Sequence, residues 1–316
     1  MPILTDLNLA RHAVDFAGHL RADTDWLARA WADDRSRVLL LCGDASPVAA
    51  DRSGIVWVSP RDVAPIEDAP PPVLLGLGDD QVARFSVTLP EASVRRVLAA
   101  ATGESGTCEP LGSLRDVGAL IDEEDASWFV PAVALARWHE SHPCCARCGA
   151  RTDIAQAGHT RRCPACGAEH FPRTDPAIIV LITDDRDRAL LGHGAAWPDG
   201  RYSTLAGFVE PGETIEAAVA REVAEETGVR VVDPVYAGSQ PWPFPASLML
   251  GFFVRAADTR IVTDDVEVTA ARWFTRAELT AEVQAGAVQL PSGISISHRL
   301  IAHWYGGPLP TGPTSW

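Results

Sequence analysis

The chain has 316 residues, 47% hydrophobic and 22% charged, with a formal net charge of −15. That length points to two or three domains with ample apolar material for their cores. The acidity argues against a general binder of nucleic acid or membrane surfaces, and no apolar run approaches the ~18 residues of a membrane-spanning helix.

No basic segment followed by an apolar run opens the chain, and its last residues are not a peroxisomal address, so a cytoplasmic protein is expected. Over residues 1–125, short apolar runs at 37–42, 54–58 and 72–77 read as strands, as does 84–89. Residues 62–72, rich in Pro, Asp and Ala, read as a loop, 95–101 as a short helix and 127–140 as a longer one. This region shows no metal cluster, phosphate loop or nucleophile–base pairing. Trp26, Trp31 and Trp57 read as packing residues, and Cys42 and Cys108 as inert thiols.

Five of the seven cysteines fall between residues 144 and 166, which favours a reducing compartment and a metal site over a disulfide framework. Cys145 and Cys148 form one C-x-x-C and Cys163 and Cys166 another, each followed by Gly. Four thiolates leave no open coordination position, so the segment reads as a structural zinc ribbon, with Cys144 the ambiguous neighbour of Cys145. Its arginines raise the alternative of nucleic-acid contact.

Beyond the ribbon, strands are expected at 177–182, 188–192, 202–208, 231–237, 248–255 and 267–274, and helices at 275–286 and 296–305. Between them lies G-F-V-E-P-G-E-T-I-E-A-A-V-A-R-E-V-A-E-E-T-G-V, residues 207–229. Ile215, Ala218, Val219 and Val223 recur at helical spacing, and Gly228 is a helix stop. Glu222 and Glu226 then share one helix face with Glu225 beside them. Such acids repel one another unless a cation sits among them, and oxygen-only donors suit Mg2+ or Mn2+. The competing reading is a solvated acidic face.

The stretch resembles the Nudix box: Gly, five residues, Glu, seven residues, then Arg-Glu-aliphatic-any-Glu-Glu-any-Gly-aliphatic, met here by Gly207, Glu213, Arg221, Glu222, Val223, Glu225, Glu226, Gly228 and Val229. Ten residues past the box, S-Q-P-W-P-F-P-A-S (239–247) is stiff and aromatic, and reads either as a Pro-rich turn packing on the core or as a wall for a flat heterocycle. Together with the ribbon and the following F-P-R-T-D-P-A-I-I-V, it is similar to the NADH pyrophosphatase branch of the Nudix superfamily.

The resemblance implies an α+β architecture: an N-terminal Nudix-like α/β domain (1–138), a zinc ribbon (139–173) and a Nudix α/β/α sandwich (174–316), assembled as a homodimer. It implies metal ligation by Glu222, Glu225, Glu226, Glu267 and the Ala206 carbonyl, with Arg221 orienting the glutamates through a fork to Glu213. It places Phe208, Gln240, Pro241, Trp242, Pro243, Phe244, Pro245, Ala246, Ser247, Phe171 and Ser297 around the substrate; relatives often carry Tyr where Phe171 stands, so stacking survives there but a hydroxyl contact is lost. The implied activity is hydrolysis of the NAD(H) pyrophosphate to NMN(H) and AMP, with NAD(H) as substrate. The alternatives are removal of NAD caps from RNA 5′ ends, hydrolysis of ADP-ribose, or a non-catalytic ribbon module on a dead scaffold.

Overall fold

Asp23, Asp122 and Thr214 each precede a helix and accept a hydrogen bond from an amide of its first turn, so polar caps already mark three helix starts in the chain. The computed structural model describes residues 3–10, 14–67, 69–102 and 110–313. Cys108 lies outside them. The chain divides into two compact units: residues 11–174 with Pro243–Ala246, and residues 1–10 with Asp175–Trp242 and Ser247–Trp316.

In chain order the first unit contains α1 (Thr24–Ala32), β1 (Arg37–Leu41), β2 (Ala45–Pro47), α2 (Pro60–Val63), β3 (Val73–Leu77), β4 (Ala83–Thr88), α3 (Glu91–Thr102), β5 (Leu111–Ser113), α4 (Leu114–Val117), α5 (Glu123–Ser141), β6 (Asp153–Ala155), β7 (Thr160–Arg162) and β8 (Glu169–His170). β1 and β4 pair in parallel, and β3 joins β4 antiparallel. Val38, Leu40, Leu74, Phe85 and Val87 of this sheet pack with Val94, Val97 and Leu98 of α3. β6, β7 and β8 form the ribbon sheet, and His159 Nε2–H donates to the Leu74 carbonyl at 2.7 Å.

Residues 54–58, expected as a strand, make only isolated bridges at Ile55 and Val58. Their donors go to separate partners: Ile55 N–H and the Trp57 indole to the Asp125 carboxylate (2.6 and 2.7 Å), and Val56 N–H to Pro47 O. A ladder needs successive donors to face one neighbouring strand. The expected loop at 62–72 begins inside α2, where Ser59 and Asp62 form a capping box.

The second unit contains β9 (Asp175–Thr183), β10 (Ala189–Gly194), β11 (Leu205–Phe208), α6 (Ile215–Thr227), β12 (Val231–Trp242), β13 (Ser247–Ala256), β14 (Val268–Phe274), α7 (Arg276–Gln284) and α8 (Ile296–Tyr305). Six strands form one sheet in the order β12-β13-β9-β10-β14, with β11 also on β9 and β13 parallel to β9. β9 is an unbroken apolar run because both its faces are covered. Ile178, Val180 and Ile182 meet Ala218, Val219 and Val223 of α6. Ile179 and Leu181 meet Leu279 of α7 and Leu300, Ile301 and Trp304 of α8. The mixed helix and strand fold is thus an α/β/α sandwich. Residues 3–10 join this second unit: Leu4 N–H donates to Ala237 O at 2.7 Å.

β12 is longer than the periodicity predicts. The segment expected as a stiff loop from residue 239 is a hairpin instead, with Gln240 opposite Met249, Pro241 opposite Leu248 and Trp242 opposite Ser247. Only Pro243–Ala246 remains as its tip. Pro241 is tolerated because β12 is an edge strand, where a missing donor costs the sheet nothing.

Candidate active site

The carboxylates are brought together by α6. Thr214 caps its start by accepting from Ala217 N–H, and Gly228, at φ 68°, ends it in the left-handed region that suits glycine. Ala218, Val219, Val223 and Glu226 are buried on one face; Glu222, four residues from both Ala218 and Glu226, lies on that same face, while Arg221 and Glu225 lie to its side.

Arg221 is the hub. Its Nε and Nη2 donate to Glu213 Oε1 and Oε2, both at 2.8 Å, its Nη1 to Glu222 Oε1 and Glu225 Oε2, both at 2.9 Å, and its Nη2 to the Phe208 carbonyl at 2.9 Å. A planar guanidinium with five donors is suited to this divergent set, and lysine is not. The fork, with help from the Glu210 N–H, pulls Glu213 down to about 2. It holds Arg221 well above its ordinary value.

Gly207 lets the box helix approach β11. A Cβ built there would stand 1.9 Å from Glu222 Cδ, so the carboxylate rests on bare backbone. Burial, opposed by Arg221, raises the Glu222 carboxyl, as do Glu225 and Glu267. Glu226 is 7% exposed and its Oε2 has no hydrogen-bond partner among the described residues. Burial first, then the charges of Glu222, Glu267, Asp264 and Glu225, push it up to about 8. A buried carboxylate oxygen without a donor is costly. The donor set fits a divalent cation: hard oxygens from Glu222, Glu226 and Glu267, within reach of an open cleft.

Two hollows flank these acids. The larger, about 450 Å3, is bordered by Phe208, Glu222, Glu225, Ser247 and Met249. The smaller, about 240 Å3, is bordered by Trp197, Thr204 and Glu226. Ala206 and Glu267 border both. Phe208 offers an exposed ring to the larger one (56% exposed).

Other expected residues are placed differently. Gln240 is fully buried and donates from Nε2 to Ile294 O at 2.7 Å, so its amide faces the core. Ser297 is also buried. Its Oγ sits 2.8 Å from both Ser203 Oγ and Thr204 Oγ1, and its N–H donates to Ser295 Oγ. Phe244 lies under the guanidinium groups of Arg115 (4.5 Å) and Arg137 (5.4 Å), so cations cover its ring faces. Phe171 follows β8 in the first unit with an exposed ring.

Asp264 and Trp197 also border or support the site, although neither belongs to the box or to the segment 239–247. Asp264 Oδ1 accepts from the N–H groups of Val266, Glu267 and Val268 (3.2, 3.2 and 2.9 Å), fixing the loop that carries Glu267. The D-D pair just before the alternating V-E-V of a strand entry is the signal for it. Trp197 leans on Gly194, whose added Cβ would meet the indole at 3.2 Å.

In the ribbon, the Sγ atoms of Cys145, Cys148, Cys163 and Cys166 all lie within 4.8 Å of one another. The Cys145–Cys166 and Cys148–Cys163 separations are 3.7 and 3.5 Å. A disulfide would need about 2 Å, whereas thiolates about 2.3 Å from one tetrahedral zinc stand nearly 4 Å apart. Gly149 and Gly167, at φ 77° and 72°, close the two knuckles. The Cys145 thiol is opposed by burial, yet amides of Arg147 and Cys148 and the His170 ring bring it down to about 6. Exposed Cys144 stands outside the cluster.

Comparison with known proteins agrees with this geometry. Residues 173–291 match the NUDIX domain family, and residues 140–171 match the NADH pyrophosphatase zinc ribbon domain. The chain is 38% identical over 312 residues to the NAD-capped RNA hydrolase NudC of Mycobacterium bovis, covering 94% of each chain. It is 37% identical over 312 residues to the protein of the same name from Mycobacterium tuberculosis, again covering 94% of each. It is 40% identical over 196 residues to the human NAD-capped RNA hydrolase NUDT12, covering 58% of this chain and 42% of that one. The chain therefore belongs to the Nudix hydrolases, in the branch that carries the NADH pyrophosphatase zinc ribbon.

Proposed function

We propose that the enzyme hydrolyses the pyrophosphate bond of NAD(H), giving NMN(H) and AMP. The observation that carries this reading is the buried, unpartnered Glu226 carboxylate at the smaller hollow, joined through Glu267, which borders both, to the larger hollow with Glu222 and the exposed Phe208 ring. Glu222, Glu226, Glu267 and the Ala206 carbonyl would hold Mg2+ or Mn2+, with Glu225 a further ligand or the base. When bound, such ions neutralise phosphate oxygens and acidify water. Arg221 keeps Glu222 and Glu225 in one orientation, and Phe208 stacks on the flat nicotinamide. Water gives a proton to a glutamate as its oxygen adds to one phosphorus, the bridging P–O bond breaks, and the leaving phosphate takes the electron pair.

The names of the full-length relatives favour a second reading with the same chemistry, in which the NAD forms the 5′ cap of an RNA and the products are NMN and a monophosphorylated RNA. In both readings the four thiolates hold a structural zinc. The three-part division at residues 138 and 173, a homodimer and a cytoplasmic site complete the proposal. Among the described residues no helix is long and apolar enough to cross a membrane.

The test is mass-resolved product analysis with NADH and with NAD-capped RNA at matched magnesium, beside Glu226→Gln. NMNH and AMP from wild type alone would support the first reading, and a much faster release of NMN from capped RNA the second. No cleavage of either substrate would remove both.

A further inference from the structure

A cavity of about 450 Å3 lies within the first unit and shares no lining residue with the two hollows of the candidate active site. It opens at the carboxyl ends of the parallel strands β1 and β4, bordered there by Gly43 and Thr88. That is where α/β sheets commonly bind small molecules, and the size is ordinary for such a site. Pro71, Val73 and Ile154 give it apolar walls.

Arg161 lies at its border, only 8% exposed. Its three hydrogen-bond partners are all neutral: Thr152 Oγ1 (2.7 Å), Thr152 O (2.8 Å) and His139 Nδ1 (3.0 Å). His139 must be uncharged to serve, because its Nε2 already donates to Gly158 O at 2.9 Å and a guanidinium cannot accept. Among the described residues Arg161 makes no ion pair, although the Asp153 carboxylate acts on it through space, and two of its five N–H donors remain. A buried guanidinium with no anion in direct contact is destabilising unless a ligand supplies one. The other charges at the cavity border are Arg151 and Glu140, so the balance there is positive. Ser86 and Thr88 add hydroxyl groups.

We infer that this cavity is a second ligand site, which takes a small organic anion by its carboxylate or phosphate on Arg161 and Arg151 and packs a compact apolar body against Val73 and Ile154.

The test uses the full-length, zinc-loaded protein without added magnesium. Its unfolding midpoint is followed against sodium benzoate and, separately, inorganic phosphate, each referenced to sodium chloride at equal ionic strength. The expected result is a saturable rise of several degrees in the millimolar range with at least one probe. Benzoate alone would mark a carboxylate ligand, and phosphate alone a phosphate ester. Arg161→Gln should abolish the rise. Because that change also removes the Thr152 contacts, Arg151→Ala is the companion variant, expected to weaken binding at least tenfold while the fold survives. Glu222→Gln should leave the rise intact. No saturable shift with either probe, an undiminished shift in Arg151→Ala, or a shift lost in Glu222→Gln would overturn the inference.

Discussion

The ribbon gathers four thiols, and the box helix with the residue before β14 gathers four carboxylates, but the two clusters treat solvent in opposite ways. In the ribbon, four sulfurs converge within 4.8 Å on two knuckles, and that donor set alone completes a tetrahedron. On α6 and beside β14, only Glu226 is deeply buried, while Glu225 and Glu267 stay exposed at a cleft of about 450 Å3. The closed set can hold a fold together; the open set leaves room for a substrate and water. Loss of a ligand should therefore unfold one region and silence the other.

The largest effect should come from the ribbon. Structural zinc contributes on the order of 10 kcal/mol to small zinc domains, so Cys163→Ser or zinc chelation should unfold the ribbon sheet and destabilise the first unit. Calorimetry should show its transition shifted down by ten degrees or more. A zinc-free protein with an unchanged transition would break the comparison.

Glu226→Gln should have the reverse profile. The loss in kcat should be about 10³-fold, corresponding to the several kcal/mol a metal-assisted site supplies. The metal-free midpoint should hold or rise, since an unpartnered buried carboxylate disappears. A lowered midpoint would recast Glu226 as structural.

Gly207→Ala sharpens the same point within the catalytic unit. The new methyl collides with the Glu222 carboxylate, which must move by an ångström or more. Displacements of that size cost roughly 10²-fold in rate, so kcat should fall by about that factor while circular dichroism stays unchanged. Retention of full activity would mean the Glu222 position is not critical.

The smallest effect concerns acid stability near the ribbon. Burial, reinforced by the charges of Arg161 and His159 and opposed by the Gly158 carbonyl, lowers His139 to about 4. An unfolded histidine titrates near 6.5, so between pH 6.5 and 4 the unfolded chain binds a proton that the folded chain refuses. Stability should fall as pH drops through that window and level off below it. Urea unfolding of His139→Gln should show a shallower decline from pH 6.5 to 5 than wild type; equal slopes would remove His139 as the cause.

Much of the catalytic unit was legible because its signals are local. The spacing of Ile215, Ala218, Val219 and Val223 sets one helix face, Glu222 and Glu226 recur on it four residues apart with Arg221 and Glu225 beside them, and Thr214 and Gly228 mark the helix ends. β9 and α8 carry apolar patterns that reach their observed spans within a residue or two. The strand expected at 54–58 failed because its backbone donors go to separate partners, Ile55 to Asp125 of a helix some 70 residues away in sequence, Val56 to Pro47 and Val58 to Val38, and no local pattern announces them.

The sequence by itself determined which residues could act: four cysteines on two glycine-closed knuckles, and three glutamates and an arginine on one helix. Helical periodicity and turn geometry operate over a few residues, so they are written in spacing. Tertiary structure decided which neighbours surround each of the other candidates. Strand register opposes Gln240 to Met249 and its amide turns inward to Ile294. Ser297 is drawn onto Ser203 and Thr204, Phe244 lies under two arginines, and Glu267 is held at the cleft by Asp264. The neutral partners of Arg161 are equally invisible in the sequence. In each case the partner is distant in the chain or the side chain has several polar partners to choose from, and only the packed fold selects among them.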